Sequence, residues 1–242
     1  MAAEMRTHRG NVRKNNEDAA WFDPERAMFA VADGMGGHQA GEVASSIAIR
    51  TMREMAESGA QAGIAPLQDA VRRAHGEIVA YAKAHPECAG MGTTLSVLWQ
   101  GGRFMYIAHV GDSRIYRLRE GVLTQITQDH SLVEELVHAG LISRAEARVH
   151  PRRNIITRAL GTEGDNAPDL LAADVRPGDV WLLCTDGINS MVDDEQIAET
   201  LRAYPIRRAA DMLVHLALHA GGRDNVTLII MRCEEDETWN RD

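Results

Sequence analysis

The stretch that decides the fold is A-V-A-D-G-M-G-G-H, residues 30–38, in which an apolar run ends on a carboxylate followed by glycines. The apolar run predicts a buried strand, and Asp33 lies where that strand ends. The glycines let the backbone turn sharply and approach whatever the carboxylate binds. A buried carboxylate is costly without a positive partner, and carboxylate, carbonyl and water oxygens suit Mg²⁺ or Mn²⁺. Asp33 alone fits a turn cap equally well, so the stretch leaves both interpretations open.

The composition describes an ordinary globular chain of 242 residues, 45% apolar and 25% charged, with a net charge of −9. That acidity disfavours a nucleic-acid surface, so we expect no nucleic-acid partner. Three scattered cysteines are too few for a disulfide framework or a zinc site, and Cys184 within an apolar run is predicted to be buried. The N-terminus lacks a signal-peptide pattern and no apolar run reaches membrane-spanning length. We therefore expect a cytoplasmic protein with no membrane partner.

Hydrophobic periodicity predicts strands and helices in mixed order, with no repeat or linker, and hence one α+β domain of antiparallel sheets flanked by helices. The segment 5–10 shows no helical period. Short glycine-containing links suggest that the strands between residues 93 and 126 form one antiparallel meander. The predicted strands are 19–22, 27–33, 93–99, 103–110, 113–119, 122–126, 170–175, 180–185 and 225–232; the predicted helices are 39–57, 66–83, 131–139, 143–149, 193–202 and 205–220.

Carboxylates recur where these strands meet glycine. Asp112, Asp186 and Asp224 occupy such junctions, and Glu17 and Asp18 precede the first hairpin. Each one alone fits a turn or a cap. Clustered at one end of a sandwich, however, they would repel one another unless cations lay among them, which predicts a polynuclear metal site. Two hard ions about 3.5–4 Å apart can turn a bridging water into a nucleophile and hold phosphoryl oxygens for in-line attack.

Several blocks in this order resemble the metal-dependent protein phosphatases of type 2C in their compact bacterial form. The resemblance runs from Arg9 to Arg232. Its blocks are R-G-N-V-R-K-N-N-E-D (9–18), V-A-D-G-M-G-G-H-Q-A-G-E (31–42), G-T-T (92–94), H-V-G-D-S-R-I-Y (109–116), C-T-D-G-I (184–188) and G-G-R-D-N-V-T (221–227). The resemblance implies a four-layer α-β-β-α sandwich of two antiparallel sheets. It also implies one catalytic domain, 1–242, with a core of about 5–232, a flap at about 143–158 and a short acidic tail.

The resemblance further implies serine/threonine phosphoprotein hydrolysis, in which a metal-bridged hydroxide attacks the phosphate in line. Two central Mn²⁺ or Mg²⁺ ions and a third, weaker one are expected as cofactors. The implied roles are central-metal binding for Asp33, the Gly34 carbonyl, Asp186 as the bridge and Asp224; third-metal binding for Asp112 with Asp186; water orientation for Glu17 and Asp18; and phosphate binding for Arg13.

Met35 departs from the pattern, because many eukaryotic relatives carry a histidine at that position as the proposed general acid. His38 could take a proton role or be structural, and water on the third ion is an alternative proton source. His109 is predicted to be structural. The basic residues 148–153 of the flap could steer acidic substrate segments or simply form a solvated face.

The partners implied by the resemblance are phosphorylated serine/threonine proteins, among them a cognate eukaryote-like kinase and its substrates. The chain would reverse such kinase signalling in a bacterium, with control of a secretion system as one setting, and would act as a monomer. Two alternatives remain open at this point. One is a catalytically weak phosphoprotein-binding regulator, and the other is a metal phosphohydrolase for small phosphate esters.

Overall fold

The computed structural model describes residues 1–36 and 40–234. The strands are β1 (Ala2–His8), β2 (Asp18–Asp23), β3 (Met28–Met35), β4 (Gly92–Thr93), β5 (Leu95–Gly101), β6 (Phe104–Val110), β7 (Arg114–Arg119), β8 (Val122–Gln125), β9 (Asp169–Asp174), β10 (Val180–Cys184) and β11 (Val226–Arg232). The helices are α1 (Ala40–Glu57), α2 (Ile64–Ala84), α3 (Leu132–His138), α4 (Arg144–Val149), α5 (Asp186–Asn189), α6 (Asp194–Ala203) and α7 (Ile206–His219), with a 3₁₀ turn at Pro86–Cys88.

The strands form two antiparallel sheets. The five-stranded sheet has the order β1-β11-β10-β7-β8, and the six-stranded sheet has the order β2-β3-β5-β6-β9 with β4 beside β3. The central strands are buried on both faces, so successive side chains enter different cores. In β3, Phe29 and Val31 pack between the sheets, whereas Met28, Ala30 and Ala32 face the helices.

Helices cover the outer face of each sheet. α1 and α2 pack on one another and on the six-stranded sheet, while α6 and α7 cover the five-stranded sheet. Cys184 is buried in this second outer core, as predicted. The layers therefore run helix, sheet, sheet, helix, which confirms the predicted α-β-β-α sandwich.

The single meander predicted for residues 93–126 is wrong. β5 pairs with β6 and β7 pairs with β8, but β6 and β7 belong to different sheets. Gly111 makes the crossing with φ +109°, and a Cβ on it would lie 2.4 Å from Cγ2 of Thr94. Only glycine fits there, and the crossing leaves Asp112 at the edge where the two sheets meet. The turn at 176–179 likewise joins strands of different sheets, β9 and β10.

Three elements were not predicted from the sequence: the 3₁₀ turn at Pro86–Cys88, β1 and α5. β1 pairs with β11 over its full length, from Ala2 opposite Arg232 to His8 opposite Val226, as an edge strand with half-buried side chains. α5 is a single turn that begins at Asp186. The predictions for His38 and for most of the acidic tail fall on residues 37–39 and 235–242, outside the described residues. Among the helices of the described chain, none combines the length and apolar character needed to cross a bilayer.

Candidate active site

Strand register brings the first two predicted carboxylates together. Asp18 of β2 lies directly opposite Asp33 of β3 in the antiparallel ladder. The G-T-T block holds the main chain of Asp33: its amide donates to Oγ1 of Thr94 at 2.9 Å, and its carbonyl accepts from the Thr94 amide and from Oγ1 of Thr93, both at 2.9 Å. A block with no role assigned from sequence thus fixes the end of β3.

Asp186 comes to the same place from the other sheet. It follows β10 and opens α5, and the hydroxyl of the preceding Thr185 donates to Oδ2 of Asp18 at 2.9 Å. Thr185 is itself tied to Thr227 of β11, whose amide donates to its Oγ1 at 3.1 Å. This contact joins the ends of the two sheets beneath the carboxylates.

The loop between β1 and β2 carries Arg13 onto this cluster. Nη2 of Arg13 donates to Oδ2 of Asp224 at 2.7 Å, and the guanidinium also lies within electrostatic reach of Asp33 and Asp186. The hydrogen bond to Asp224 raises the pKa of Arg13, so its positive charge is fixed. The predicted phosphate-binding arginine and the predicted metal-binding aspartates therefore share one site.

Asn225 organises the same loop, and sequence analysis assigned it no role. Its Nδ2 donates to the carbonyls of Arg9 at 2.9 Å and Asn15 at 2.8 Å, while its Oδ1 accepts from the Glu17 amide at 2.8 Å. Its position next to Asp224 in the G-G-R-D-N-V-T block was the available signal. Asn225 thus ties the loop that carries Arg13 and Glu17 to the residue next to Asp224.

Glu17 packs against the backbone that follows Asp33. The Gly34 amide donates to the Glu17 carbonyl at 3.2 Å. A Cβ on Gly34 would lie 2.1 Å from the Gly41 carbonyl oxygen, and one on Gly41 would lie 2.3 Å from Oε2 of Glu17. These glycines let β3, the start of α1 and the Glu17 carboxylate approach one another closely.

The aspartates strongly perturb one another. Burial, followed by repulsion from neighbouring carboxylates, raises the pKa of Asp18 to about 7 and that of Asp186 to about 6. The same causes raise the pKa of Asp33 and of Asp112 well above the usual range for aspartate. Such a cluster is stable at neutral pH when protons or cations compensate it.

The donor set fits hard divalent cations. Oδ1 of Asp18, Asp112 and Asp186 is shielded from solvent and has no hydrogen-bond partner within the described part of the chain. Across residues 1–36 and 40–234, no three acidic, histidine or cysteine side chains are grouped so as to hold one ion by themselves. A cation here would thus take one or two carboxylates, a backbone carbonyl and water, which is the pattern typical of Mg²⁺.

A pH-dependent stability test follows for the metal-free protein. Because the pKa of Asp18 is raised from 3.8 to about 7, its contribution to folding is full below about pH 4 and is lost as the pH rises through about 7. Asp18→Asn cannot ionise, so its free energy of unfolding should exceed that of the wild type by a margin that grows between pH 4 and pH 7 to roughly 4 kcal/mol. Urea unfolding in chelator measures this difference.

The exposed Asp69→Asn on α2 is the control, because Asp69 lies outside the acid cluster and pairs with the exposed Arg72, a contact that contributes little to stability. Titrating groups outside the acid cluster, the buried histidines included, cancel because each variant is compared with the wild type at the same pH. Asp33 does not cancel: Asp18 raises its pKa, so the substitution also relieves Asp33 and enlarges the same margin. A pH-independent margin for Asp18→Asn would show that burial and the neighbouring carboxylates do not raise the pKa of Asp18.

A cleft of about 710 Å³ adjoins the carboxylates. Its lining includes Asp112 and Asp186, Arg148 and Arg153 of the flap, and Met191. Arg153 lies near enough to Asp186 to lower its pKa, against the larger effect of burial. The cleft is partly open to solvent.

A buried ion pair beneath the cleft was also missed. Nε and Nη2 of Arg114 donate to Asp129 at 2.9 and 2.7 Å, and Nη1 donates to the Tyr116 hydroxyl at 2.9 Å. Arg114 lies in a quoted block, but nothing in the sequence marked Asp129. The pair holds the segment after β8 against β7, two residues from Asp112.

The two remaining residues considered from sequence do not join the acid cluster as acid–base groups. His109 is fully buried in β6, where its ring contacts Oγ of Ser96 at 2.9 Å, and burial lowers its pKa to about 3. Its imidazole is therefore neutral, in agreement with the structural role predicted for it. Met35 ends β3 opposite Gly92 and offers no proton.

Comparison with known proteins is consistent with this site. The family model for protein phosphatase 2C matches residues 6–216. Serine/threonine protein phosphatase PstP of Mycobacterium tuberculosis is 42% identical over 226 residues, which are 93% of this chain but 43% of PstP. Serine/threonine phosphatase stp of Listeria innocua is 39% identical over 240 residues, or 96% of this chain and 95% of stp.

The chain is also similar in three-dimensional structure to a solved phosphatase. The catalytic domain of a PstP phosphatase, crystallised in complex with two manganese ions, superposes with a TM-score of 0.89 at 39% identity and covers 97% of this chain and 98% of that one. Fold and overall sequence agree along nearly the whole length. The chain belongs to the protein phosphatase 2C family.

Proposed function

We propose that this chain is a Mn²⁺- or Mg²⁺-dependent phosphatase that hydrolyses phosphoserine and phosphothreonine in proteins. The observation that carries the proposal is the convergence of buried, mutually repelling aspartates from both sheets beside a fixed guanidinium. Such a site binds cations and phosphate together. Family membership and the names of its relatives support the same chemistry.

The metal ligands we propose are Asp33, the Gly34 carbonyl, Asp186 and Asp224 for two central ions, with Asp112 and Asp186 for a third. When bound, the ions activate water and neutralise the phosphoryl oxygens. The unpartnered Oδ1 atoms of Asp112 and Asp186 support these assignments.

The remaining roles belong to side chains around those ligands. Arg13 binds two phosphoryl oxygens through its planar fork and orients the phosphorus for in-line attack. Glu17 and Asp18 accept hydrogen bonds from water and orient it. Because Met35 carries no proton, we infer that water protonates the departing alkoxide.

The open cleft favours protein substrates over small esters. Small ligands favour enclosing pockets, whereas this cleft, lined by the flap and by α5–α6, is partly open to solvent and adjoins Asp112 and Asp186. Arg148 and Arg153 of the flap supply positive charge to attract acidic segments, in a cleft whose lining also holds the acids Asp193, Asp194 and Glu195. A regulator that only binds phosphoproteins is disfavoured because every predicted ligand and Arg13 are present.

The partners that we propose are phosphorylated proteins, including a eukaryote-like serine/threonine kinase and its substrates. We also propose that residues 1–242 act as one catalytic domain, since strands from both ends of the chain share the five-stranded sheet. Control of a secretion system, a cytoplasmic location and a monomeric state stay predictions.

The test compares kcat/KM for an acidic phosphothreonine peptide and for p-nitrophenyl phosphate in Mn²⁺. We expect the peptide to be favoured at least about tenfold, and Arg148→Glu to erode that preference while Arg72→Glu, on α2, leaves it unchanged. Preference for the small ester would favour the small-molecule phosphohydrolase. Absence of turnover of either substrate by folded, Mn²⁺-loaded protein would favour the binding regulator.

A further inference from the structure

His130 lies between the sheet crossing and the flap, and nothing in the proposed chemistry uses it. It is buried in the segment that joins β8 to α3. Its Nδ1 accepts from the Gly111 amide at 3.1 Å, and its own amide donates to the Gly111 carbonyl at 2.8 Å. Both polar groups of Gly111 are therefore bound by this one residue.

The contact with Gly111 determines which nitrogen of the His130 ring carries the proton. An amide can only donate, so Nδ1 is unprotonated, and burial lowers the pKa of His130 and keeps the ring neutral. Nε2 then carries the proton and donates to Oδ2 of Asp169 on β9 at 3.2 Å. Nη1 of Arg158 also lies 3.3 Å from Nε2, but both nitrogens carry protons and both are directed to the Asp169 carboxylate. Nη1 of Arg158 donates to the other oxygen of Asp169 at 3.0 Å, so the acceptor is fixed from two sides.

The main chain of the same segment holds the end of the flap. The Thr157 amide donates to the His130 carbonyl at 2.8 Å, and the Leu132 amide donates to the Ile155 carbonyl at 2.9 Å. Ser131 and Ile156 form an isolated antiparallel bridge. The end of the flap is thus bound by the His130 carbonyl, and Gly111 is bound by the ring and the amide of the same residue.

Asp112 depends on this arrangement because its carboxylate has little other support. Oδ1 of Asp112 has no hydrogen-bond partner among the residues described. Its direction is set by the backbone at Gly111, which Thr94 confines on one side and His130 binds on the other. A rotation of the Gly111 peptide would turn the Asp112 carboxylate away from Asp186.

We propose that His130 is a positioning residue that aims Asp112 toward Asp186 and links its position to that of the flap. The proposal rests on the proposed function only in taking Asp112 as a ligand of the third cation. A histidine that only filled space in the core would not depend on the contact with Gly111, whereas this role depends on Nδ1.

Two variants distinguish the contribution of Nδ1 from that of Nε2. The amide of Asn can replace Nδ1, and that of Gln can replace Nε2, so His130→Asn retains the Gly111 contact and His130→Gln loses it. In metal-free protein we expect His130→Gln to speed amide exchange in residues 109–114 about tenfold, the factor that corresponds to one hydrogen bond, and His130→Asn to leave it near the wild-type rate.

Calorimetric titration with Mn²⁺ provides the second readout. We expect His130→Gln to weaken the weakest Mn²⁺ site by roughly tenfold, with the tighter sites unchanged, and His130→Asn to restore it. His75→Gln is the matched control, because Nδ1 of His75 accepts from the Gly161 amide at 3.1 Å, away from Asp112. It should change neither readout.

The outcomes distinguish this proposal from the function on which it rests. If Asn and Gln at position 130 behave alike in exchange and in Mn²⁺ affinity, the positioning role is wrong while the phosphatase stands. If wild-type protein binds no Mn²⁺, the proposed function fails and so does the role of His130 in aiming a ligand. Thermal unfolding of each variant shows that a loss reflects the site and not the fold.

Discussion

Asp186→Asn is expected to lower kcat for a phosphothreonine peptide in Mn²⁺ by roughly 10²- to 10³-fold. Asp186 emerges from β10 between Asp18 and the cleft, with Oδ1 buried and unpartnered. The amide of Asn cannot supply the negative charge that a bridging ligand gives to two cations. The substitution also removes one charge from a cluster in which the pKa of Asp186 is raised to about 6.

Loss of the charge should also change the thermal unfolding of the same variant. Without metal, Asp186→Asn should unfold at a higher temperature than the wild type at pH 7.5, and Mn²⁺ should raise that temperature by less. Asp69→Asn, exposed on α2, should match the wild type in both respects. Wild-type turnover by Asp186→Asn would remove it from the bridging position.

Arg13→Ala is expected to raise KM for the phosphopeptide by about tenfold or more and to change kcat much less. A charge-assisted hydrogen bond is worth about 1.5–3 kcal/mol, and the arginine binds the phosphate in the ground state and the transition state alike. In the structure the guanidinium is already held at the site by Asp224 at 2.7 Å, so the cost of positioning it is small.

Arg13→Lys tests whether charge or geometry matters. Lysine keeps the charge without the planar fork, so its KM should fall between those of the wild type and Arg13→Ala. Steady-state kinetics at saturating Mn²⁺ are required, because loss of Arg13 also frees Asp224 for the cation. An unchanged KM in Arg13→Ala would show that the guanidinium does not bind the phosphate.

Hydrophobic patterning predicted most helices and strands, but not which sheet a strand joins. The alternation in β6 and β7 identifies their buried faces, while their partners depend on the left-handed Gly111 and its contact with Thr94. A short link of this kind normally forms a hairpin. β1 was missed because an edge strand with half-buried side chains has no clear period.

The aspartates were predictable because their chemistry shows in their residue type and in their place beside glycine, whereas Arg13 was predicted from the resemblance to the family. The residues that support them were not. Asn225 and His130 act through backbone amides and carbonyls that are distant in sequence, such as those of Arg9 and Gly111. A single sequence records which side chain is present but not which distant peptide group it binds.

The most direct test of the account is a titration of metal-stripped protein with Mn²⁺ that follows heat of binding and phosphothreonine-peptide hydrolysis in the same sample. If the acid cluster is the metal site, wild-type protein should be inactive at the start, bind at least two ions per chain and gain activity as they bind. Asp186→Asn should bind fewer ions and reach an activity roughly 10²- to 10³-fold lower. Hydrolysis before any metal is added, or binding of as many Mn²⁺ ions by Asp186→Asn as by the wild type, would show that the acid cluster is not the catalytic metal site.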